Sequence, residues 1–304
     1  MMSRIVLLLK GFLMGAVELI PGVSAGTIAF VTGIYTELLD SIKSINLQAL
    51  KVLRAEGVSA FWQIINGNFL LTLLLGMALA IISLSRVIQF MLLHYPVLCW
   101  SFFFGLIIAA SWYVAKDIPR WTWGRVLLLL LAVAMMLALF TSAPAVIAVT
   151  PLTLILAGAL AISAMLLPGI SGSFVLVLLG FYQPILAAIN GLDINTLMYF
   201  AIGMVLGLLS VTRFLSWLLH RFTYPMQAFL TGIMLGSLFK IWPWKEVVLT
   251  RLHSRGELVP VLEENILPTL NIELVYAFVL GVVGVFSVLV LEFGMKKLTT
   301  KSAS

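Results

Sequence analysis

Two apolar stretches of this chain are cut near the middle by the same short phrase, and a helix cannot run through either of them unbroken. The phrase is P-G-V-S-A-G at 21–26 and P-G-I-S-G-S at 168–173. Proline lacks the amide that an interior helical turn needs and its ring collides with the preceding turn, while the glycine beside it admits a change of direction. The surroundings repeat with the phrase. At one constant offset, 158–189 lies over 11–42 and matches at Gly11/Gly158, Leu13/Leu160, Leu19/Leu166, Gly33/Gly180, Tyr35/Tyr182, Leu39/Leu186 and Ile42/Ile189. An apolar chain that carries a helix–break–helix unit twice has the pattern of a transporter whose site lies where the units meet.

Composition sets the solvent. With 62% hydrophobic and 10% charged residues in 304 and a mean hydropathy of +1.16, the chain is expected to be one polytopic membrane domain, 1–304. Arg4 and Lys10 flank an apolar start that resembles a signal peptide. No small-x-small cleavage site follows and the Pro-Gly break interrupts the run, so the segment reads as mature protein. The single cysteine, Cys99, excludes an intrachain disulfide, and His94, His220 and His253 are scattered, so neither a metal nor a cofactor is expected. The net charge of +6 fits cytoplasmic loops and anionic membrane lipid better than nucleic acid, because no basic run sits on a soluble segment long enough to fold.

Apolar runs of spanning length cover 69–93, 97–115, 126–148, 195–219, 225–242 and 273–291. The stretches 7–42 and 152–189 are each long enough for two helices, but the Pro-Gly pair leaves short arms, which suit a re-entrant helical hairpin covered by protein or a water-filled cavity. The repeat continues past the hairpins: Gly76-Met77 through Arg86 lines up with Gly203-Met204 through Arg213, and Gly105 with Gly232. The expected fold is therefore all-α, in two repeats, 1–148 and 149–304, each one hairpin plus three transmembrane helices. Three spans is an odd number, so the second repeat enters the membrane upside down. With both termini cytoplasmic, Arg4, Lys10, Lys43, Lys51, Arg54, Lys116, Arg120, Arg125, Arg221, Lys296, Lys297 and Lys301 fall inside. Only Lys240, Lys245, Arg251 and Arg255 fall outside, as the positive-inside rule asks.

At the hairpin tips, Pro21, Gly22, Pro168 and Gly169 end one helix and turn the chain, and the serine two residues on caps the next. The first amides and hydroxyls of that helix, at Ser24, Ala25, Gly26, Thr27 and at Ser171, Gly172, Ser173, are then candidate ligands for a phosphate near the midplane. The plainer alternative for a single copy is a Pro-Gly kink in an ordinary span; duplication at equivalent places favours the hairpins. Arg86 and Arg213 are expected one on each approach to the midplane, since an intramembrane arginine is costly unless it pairs or reaches water, and its fork suits a phosphate. Glu18 faces Met165 in the alignment and is either the partner of an arginine or a proton-coupling group. Glu37, Asp40 and Asp193 read as solvated, and the G-x-x-x-G pairs at Gly11, Gly203 and Gly232 read as close-packing faces.

V-E-L-I-P-G-V-S-A-G-T at the start, L-L-P-G-I-S-G-S-F in the second half and L-G-F-Y-Q-P-I-L after it resemble the PopT family of bacterial membrane proteins, over essentially the whole chain. The resemblance implies a translocase that returns undecaprenyl phosphate, the C55 lipid carrier of cell-envelope glycans, from the outer to the cytoplasmic leaflet of the inner membrane. It implies a lipid transporter rather than an enzyme. Intramembrane undecaprenyl-pyrophosphate phosphatases share repeats and P-G-x-S turns and are the rival reading. Here, however, Ala25 and Gly172 follow the serines where those enzymes carry arginine, and Glu18 stands without a second acid one turn away. A passive anion channel would use the same dipoles and arginines.

Overall fold

In a computed structural model, residues 4–20, 23–145, 147–252 and 258–301 are described. Pro21 and Gly22 of the first tip, and His253, Arg255 and Glu257 of the late loop, lie outside them. The first half runs α1 (Arg4–Glu18), α2 (Ala25–Val31), α3 (Tyr35–Lys43), α4 (Leu47–Glu56), α5 (Val58–Ile64), α6 (Gly67–His94), α7 (Pro96–Lys116) and α8 (Trp123–Thr141). The second runs α9 (Pro151–Leu166), α10 (Gly172–Leu178), α11 (Tyr182–Asn190), α12 (Ile194–Arg221), α13 (Thr223–Ser237), β1 (Lys245–Leu252), β2 (Leu258–Asn265) and α14 (Ile272–Lys301).

The helices α6, α7, α8, α12 and the 272–290 part of α14 are long and apolar enough to cross a membrane. At 15 residues, α13 is shorter than the 225–242 run promised, because the chain turns out of the helix after Ser237. Sequence accounts for several boundaries. Proline takes the first position of α7 and α9, where its missing amide costs nothing. Thr150 and Thr153 close a capping box at the start of α9, and Asp193 accepts from the Thr196 amide at the start of α12. The late loop carries a two-stranded antiparallel ribbon, β1 on β2.

The Pro-Gly arms are short, as expected: α1 has 15 residues and α9 has 16. Each second arm, read as one helix, is broken again. Gly33 and Gly180 take φ of +72° and +77°, a left-handed turn that a Cβ disfavours, and α10 meets α11 at 109°. Each interrupted stretch is therefore three short helices.

Packing repeats residue by residue. α1 lies along α6 as α9 lies along α12, and α7 pairs with α14 as α13 pairs with α8. A Cβ added at Gly11 would stand 2.3 Å from the Leu73 carbonyl oxygen, and one at the aligned Gly158 would stand 2.3 Å from that of Phe200. At Gly76 and Gly203 it would meet the carbonyls of Leu8 and Ile155. These are the close backbone crossings that small residues permit between membrane helices. The cores are less alike. Residues of α1, α2 and α3 join α7, α13 and the second tip in the main apolar cluster, whereas Leu154, Ala157, Ala161, Leu176, Phe181 and Ile185 of α9–α11 form a separate small one.

Candidate functional site

The two Pro-Gly breaks meet. Ser24 is the N-cap of α2, in extended conformation, and its hydroxyl accepts from the Gly26 amide and donates to the Met165 carbonyl at 2.9 Å. The Thr27 hydroxyl accepts from the Gly169 amide at 3.1 Å. Tyr35, at the start of α3, donates its hydroxyl to the Leu166 carbonyl at 2.9 Å. Ser24, Thr27 and Tyr35 are 1%, 0% and 2% exposed. Carbonyls and an amide that the second break removes from helical pairing are thus satisfied by side chains of the first, as buried backbone groups must be.

The donors of α2 are nevertheless taken. Its first amide, Ala25 N, donates to Glu18 Oε2 at 2.9 Å, Gly26 N donates to Ser24 Oγ, and Thr27 N donates to the Ser24 carbonyl at 2.9 Å. In this conformation the Ala25, Gly26 and Thr27 amides that the sequence offered as phosphate donors are held by Glu18 and Ser24. Glu18 is accordingly a helix cap, and no arginine pairs with it among the described residues.

At the other end of α2, Lys10 donates its ammonium to the Thr32 carbonyl at 2.7 Å while only 7% exposed. The geometry follows from spacing. Lys10 and Glu18 are eight residues apart on α1, and Ser24 and Thr32 are eight apart across α2. Both distances are about 12 Å at helical rise, so antiparallel helices bring an anion to the positive end of α2 and a cation to its negative end. Sequence reasoning missed Lys10, taking it for a topological charge. The available signal was that matched spacing.

Among the described residues the second tip has no such clamp. Met165 and Ala157 stand where the first half has Glu18 and Lys10. Ser171 makes no side-chain cap; its hydroxyl lies 2.7 Å from that of Ser173. Ser171 and Gly172 are buried and Ser173 is exposed. Pro168 ends the arm and Gly169 turns at φ +86° against Ile233, Met234 and Ser237 of α13. Just beyond α13, Lys240 Nζ stands 5.7 Å from the ring centre of Phe174 in α10.

Arg86 and Arg213 are not brought to the tips. Both are exposed, on α6 and α12, and Arg213 donates to the Leu209 carbonyl of its own helix at 2.6 Å. Asp40 and Glu37, read as solvated, are engaged: Ser216 donates to Asp40, and Asn66 donates to Glu37.

A family model described as VCA0040-like, undecaprenyl phosphate translocase-like, matches residues 14–259. The chain belongs to the VCA0040-like family. A polyprenyl-phosphate transporter of Vibrio cholerae serotype O1 (strain ATCC 39315 / El Tor Inaba N16961) is 45% identical over 260 residues, 86% of this chain and 84% of that protein. One of Staphylococcus aureus (strain NCTC 8325 / PS 47) is 30% identical over 254 residues, 78% of this chain and 85% of its own. No solved structure matches. The VCA0040-like family is one of multi-pass membrane transporters rather than enzymes, which removes the phosphatase reading.

Proposed function

We propose that this protein carries undecaprenyl phosphate, or a related polyprenyl phosphate, from the outer to the cytoplasmic leaflet of a bacterial inner membrane by alternating access. The observation that carries the mechanism is the meeting of the two breaks through Ser24, Thr27 and Tyr35. Buried polar groups that tie two broken helices together inside an apolar bundle are where a charged head group can be exchanged for protein donors. The matched crossings at Gly11/Gly158 and Gly76/Gly203 support repeats 1–148 and 149–304, inverted in the membrane with both termini cytoplasmic and the interrupted stretches as re-entrant hairpins.

The phosphate is held first at the second tip, by the Ser171 and Ser173 hydroxyls with Gly172 between them, where no internal carboxylate competes. Ser24 and Thr27 join when the ties to the second tip open. Arg86 receives the head group on the outer approach and Arg213 passes it on along the inner one, while the prenyl chain stays in lipid. A proton taken by Glu18 weakens its hold on the Ala25 amide, so its coupling role and its capping role are linked.

The test is reconstitution in liposomes with labelled undecaprenyl phosphate, following head-group movement and phosphate release together in wild type, Ser171→Ala, Arg86→Ala and Arg213→Ala. Movement without release, lost in the variants, is expected. Release of inorganic phosphate, or ionic conductance that ignores the lipid tail, overturns the reading.

A further inference from the structure

Near the C-terminal end of α12, side chains from two distant parts of the chain are tied around one carboxylate. Ser216 is 0% exposed; it donates its hydroxyl to Asp40 Oδ1 at 2.6 Å and accepts from Lys43 Nζ at 3.0 Å. His220 Nε2 lies 3.5 Å from Asp40 Oδ2. Its Nδ1 lies 2.8 Å from the Ser216 carbonyl, which only accepts, so Nδ1 carries a proton. His220 and Asp40 are 58% and 40% exposed, so the cluster is open to solvent on one side and closed by the helices on the other.

The repeat does not require this cluster. Ala187 and Asn190 stand at the positions equivalent to Asp40 and Lys43, and Gln89 and Leu93 at those equivalent to Ser216 and His220. It exists at one end of the molecule only, the end that the proposed orientation puts in the cytoplasm. Arg213 comes seven residues before His220, which sets it on the same stripe of α12 about 10 Å deeper. A hydroxyl beside an anionic oxygen, an ammonium on that hydroxyl, an imidazole that donates through Nε2 once it is the imidazolium, and a guanidinium deeper on the same stripe are the donor set of a phosphomonoester site. Asp40 faces the Ser216 hydroxyl and the His220 ring with its two oxygens, and Lys43 stands behind on the Ser216 hydroxyl; a phosphomonoester offers three oxygens and more charge.

Resting on the transport reading, we propose that Ser216, His220 and Lys43 form the inner-leaflet station for the phosphate head group, with Asp40 as its internal competitor. The head group arrives past Arg213 and displaces the Asp40 carboxylate. It departs to the inner leaflet as Asp40 takes the donors back, so Asp40 sets how tightly the head group is held at the exit.

The experiment is titration of the purified full chain in micelles with farnesyl phosphate, with farnesol and with inorganic phosphate, for wild type, Asp40→Asn and Asp40→Ala. Removing one like charge from about 4 Å is expected to tighten farnesyl phosphate at least about five-fold in both variants. Farnesol gains nothing, and Ser216→Ala or His220→Gln placed in the Asp40→Asn chain abolishes the gain. An unchanged affinity in both Asp40 variants, or a gain that survives loss of Ser216 and His220, overturns the station. An equal gain for inorganic phosphate overturns its assignment to a lipid. If wild type moves labelled undecaprenyl phosphate in liposomes and the Asp40 variants gain nothing, only the station fails. If wild type neither binds farnesyl phosphate nor moves the lipid, the transport reading itself fails.

Discussion

Replacing Thr27 by valine isolates one tie between the two breaks. Thr27 is fully buried, and its hydroxyl is the acceptor for the Gly169 amide at 3.1 Å. Valine keeps the branched shape and removes the oxygen. The backbone there has little room to shift, since Gly169 sits at φ +86° with Ile233 O, Met234 Cα and Ser237 Oγ each 3.2 Å from the place a Cβ would take. Two magnitudes compete. Hydrogen bonds between membrane helices average only about 0.6 kcal/mol when both partners are removed in turn. A donor left buried and unpaired costs about 1–3 kcal/mol. The substitution removes the acceptor alone, so the larger figure applies, a roughly 5- to 150-fold shift toward separated breaks. Thr27→Ser keeps the oxygen and loses a methyl, about 0.8 kcal/mol of burial. Unfolding in mixed micelles should place Thr27→Val below Thr27→Ser, and head-group movement in liposomes should change in the valine variant beyond anything seen with serine. Equal stability and equal transport in the two would refute the claim that this tie holds the breaks together.

Gly158→Ala puts a Cβ 2.3 Å from the Phe200 carbonyl oxygen and should destabilise by about 1–3 kcal/mol through forced separation of α9 and α12. Gly124→Ala, with nothing near its Cβ, should cost nothing or gain up to about 1 kcal/mol; micellar unfolding compares the two. Gly33→Ala meets no atom but is strained at φ +72°, whereas Gly180→Ala adds to φ +77° a contact of 2.6 Å with the Ala145 carbonyl. The same unfolding assay should find Gly33→Ala about 1–2 kcal/mol down and Gly180→Ala lower still. The carboxyl of Asp193 is held below its ordinary range by the side-chain and backbone hydrogen bonds of Thr196. A lowered folded-state value means that its cap stabilises fully above the usual carboxylate range and fades as pH falls through the lowered one. Wild type and Asp193→Ala should therefore differ at neutral pH and converge in acid.

The breaks and spans were legible because each rests on a local property: proline cannot continue a helix, and a run of about 20 apolar residues matches the hydrocarbon core. The crossings were legible for a related reason, since G-x-x-x-G at Gly11 and Gly203 puts small residues on one helix face. The second break in each arm was not, because a left-handed Gly33 and a packed Gly11 look the same in a sequence. The polar ties were least visible. Lys10 finds its acceptor 22 residues away, Ser24 finds Met165 across 141, and Asp40 finds Ser216 across 176. A charge whose partner lies that far along the chain shows only its local setting. Lys10 beside a terminus looks like a topological signal, and Asp40 near a helix end looks like a solvated one.

Duplication also explains where the function must be asymmetric. The crossings at Gly11/Gly158 and Gly76/Gly203 are shared by both halves and supply a scaffold that neither half controls alone. The charges are not shared: Glu18 and Lys10 hold the two ends of α2, while Met165 and Ala157 leave α10 without either. The cores divide in part the same way, with α2 in the main cluster while α10 puts Leu176 in the small one with α9 and α11 and Val175 against the main one. A seven-residue helix pinned at both dipole ends and buried in the main core resists displacement. One without a side-chain cap at Ser171, and with Leu176 in the small cluster and only Val175 against the main one, yields first. If transport runs by the alternating access proposed above, it is expected to be carried by movement of α10 and α11 against a stationary α1–α3, rather than by equal exchange of two identical halves.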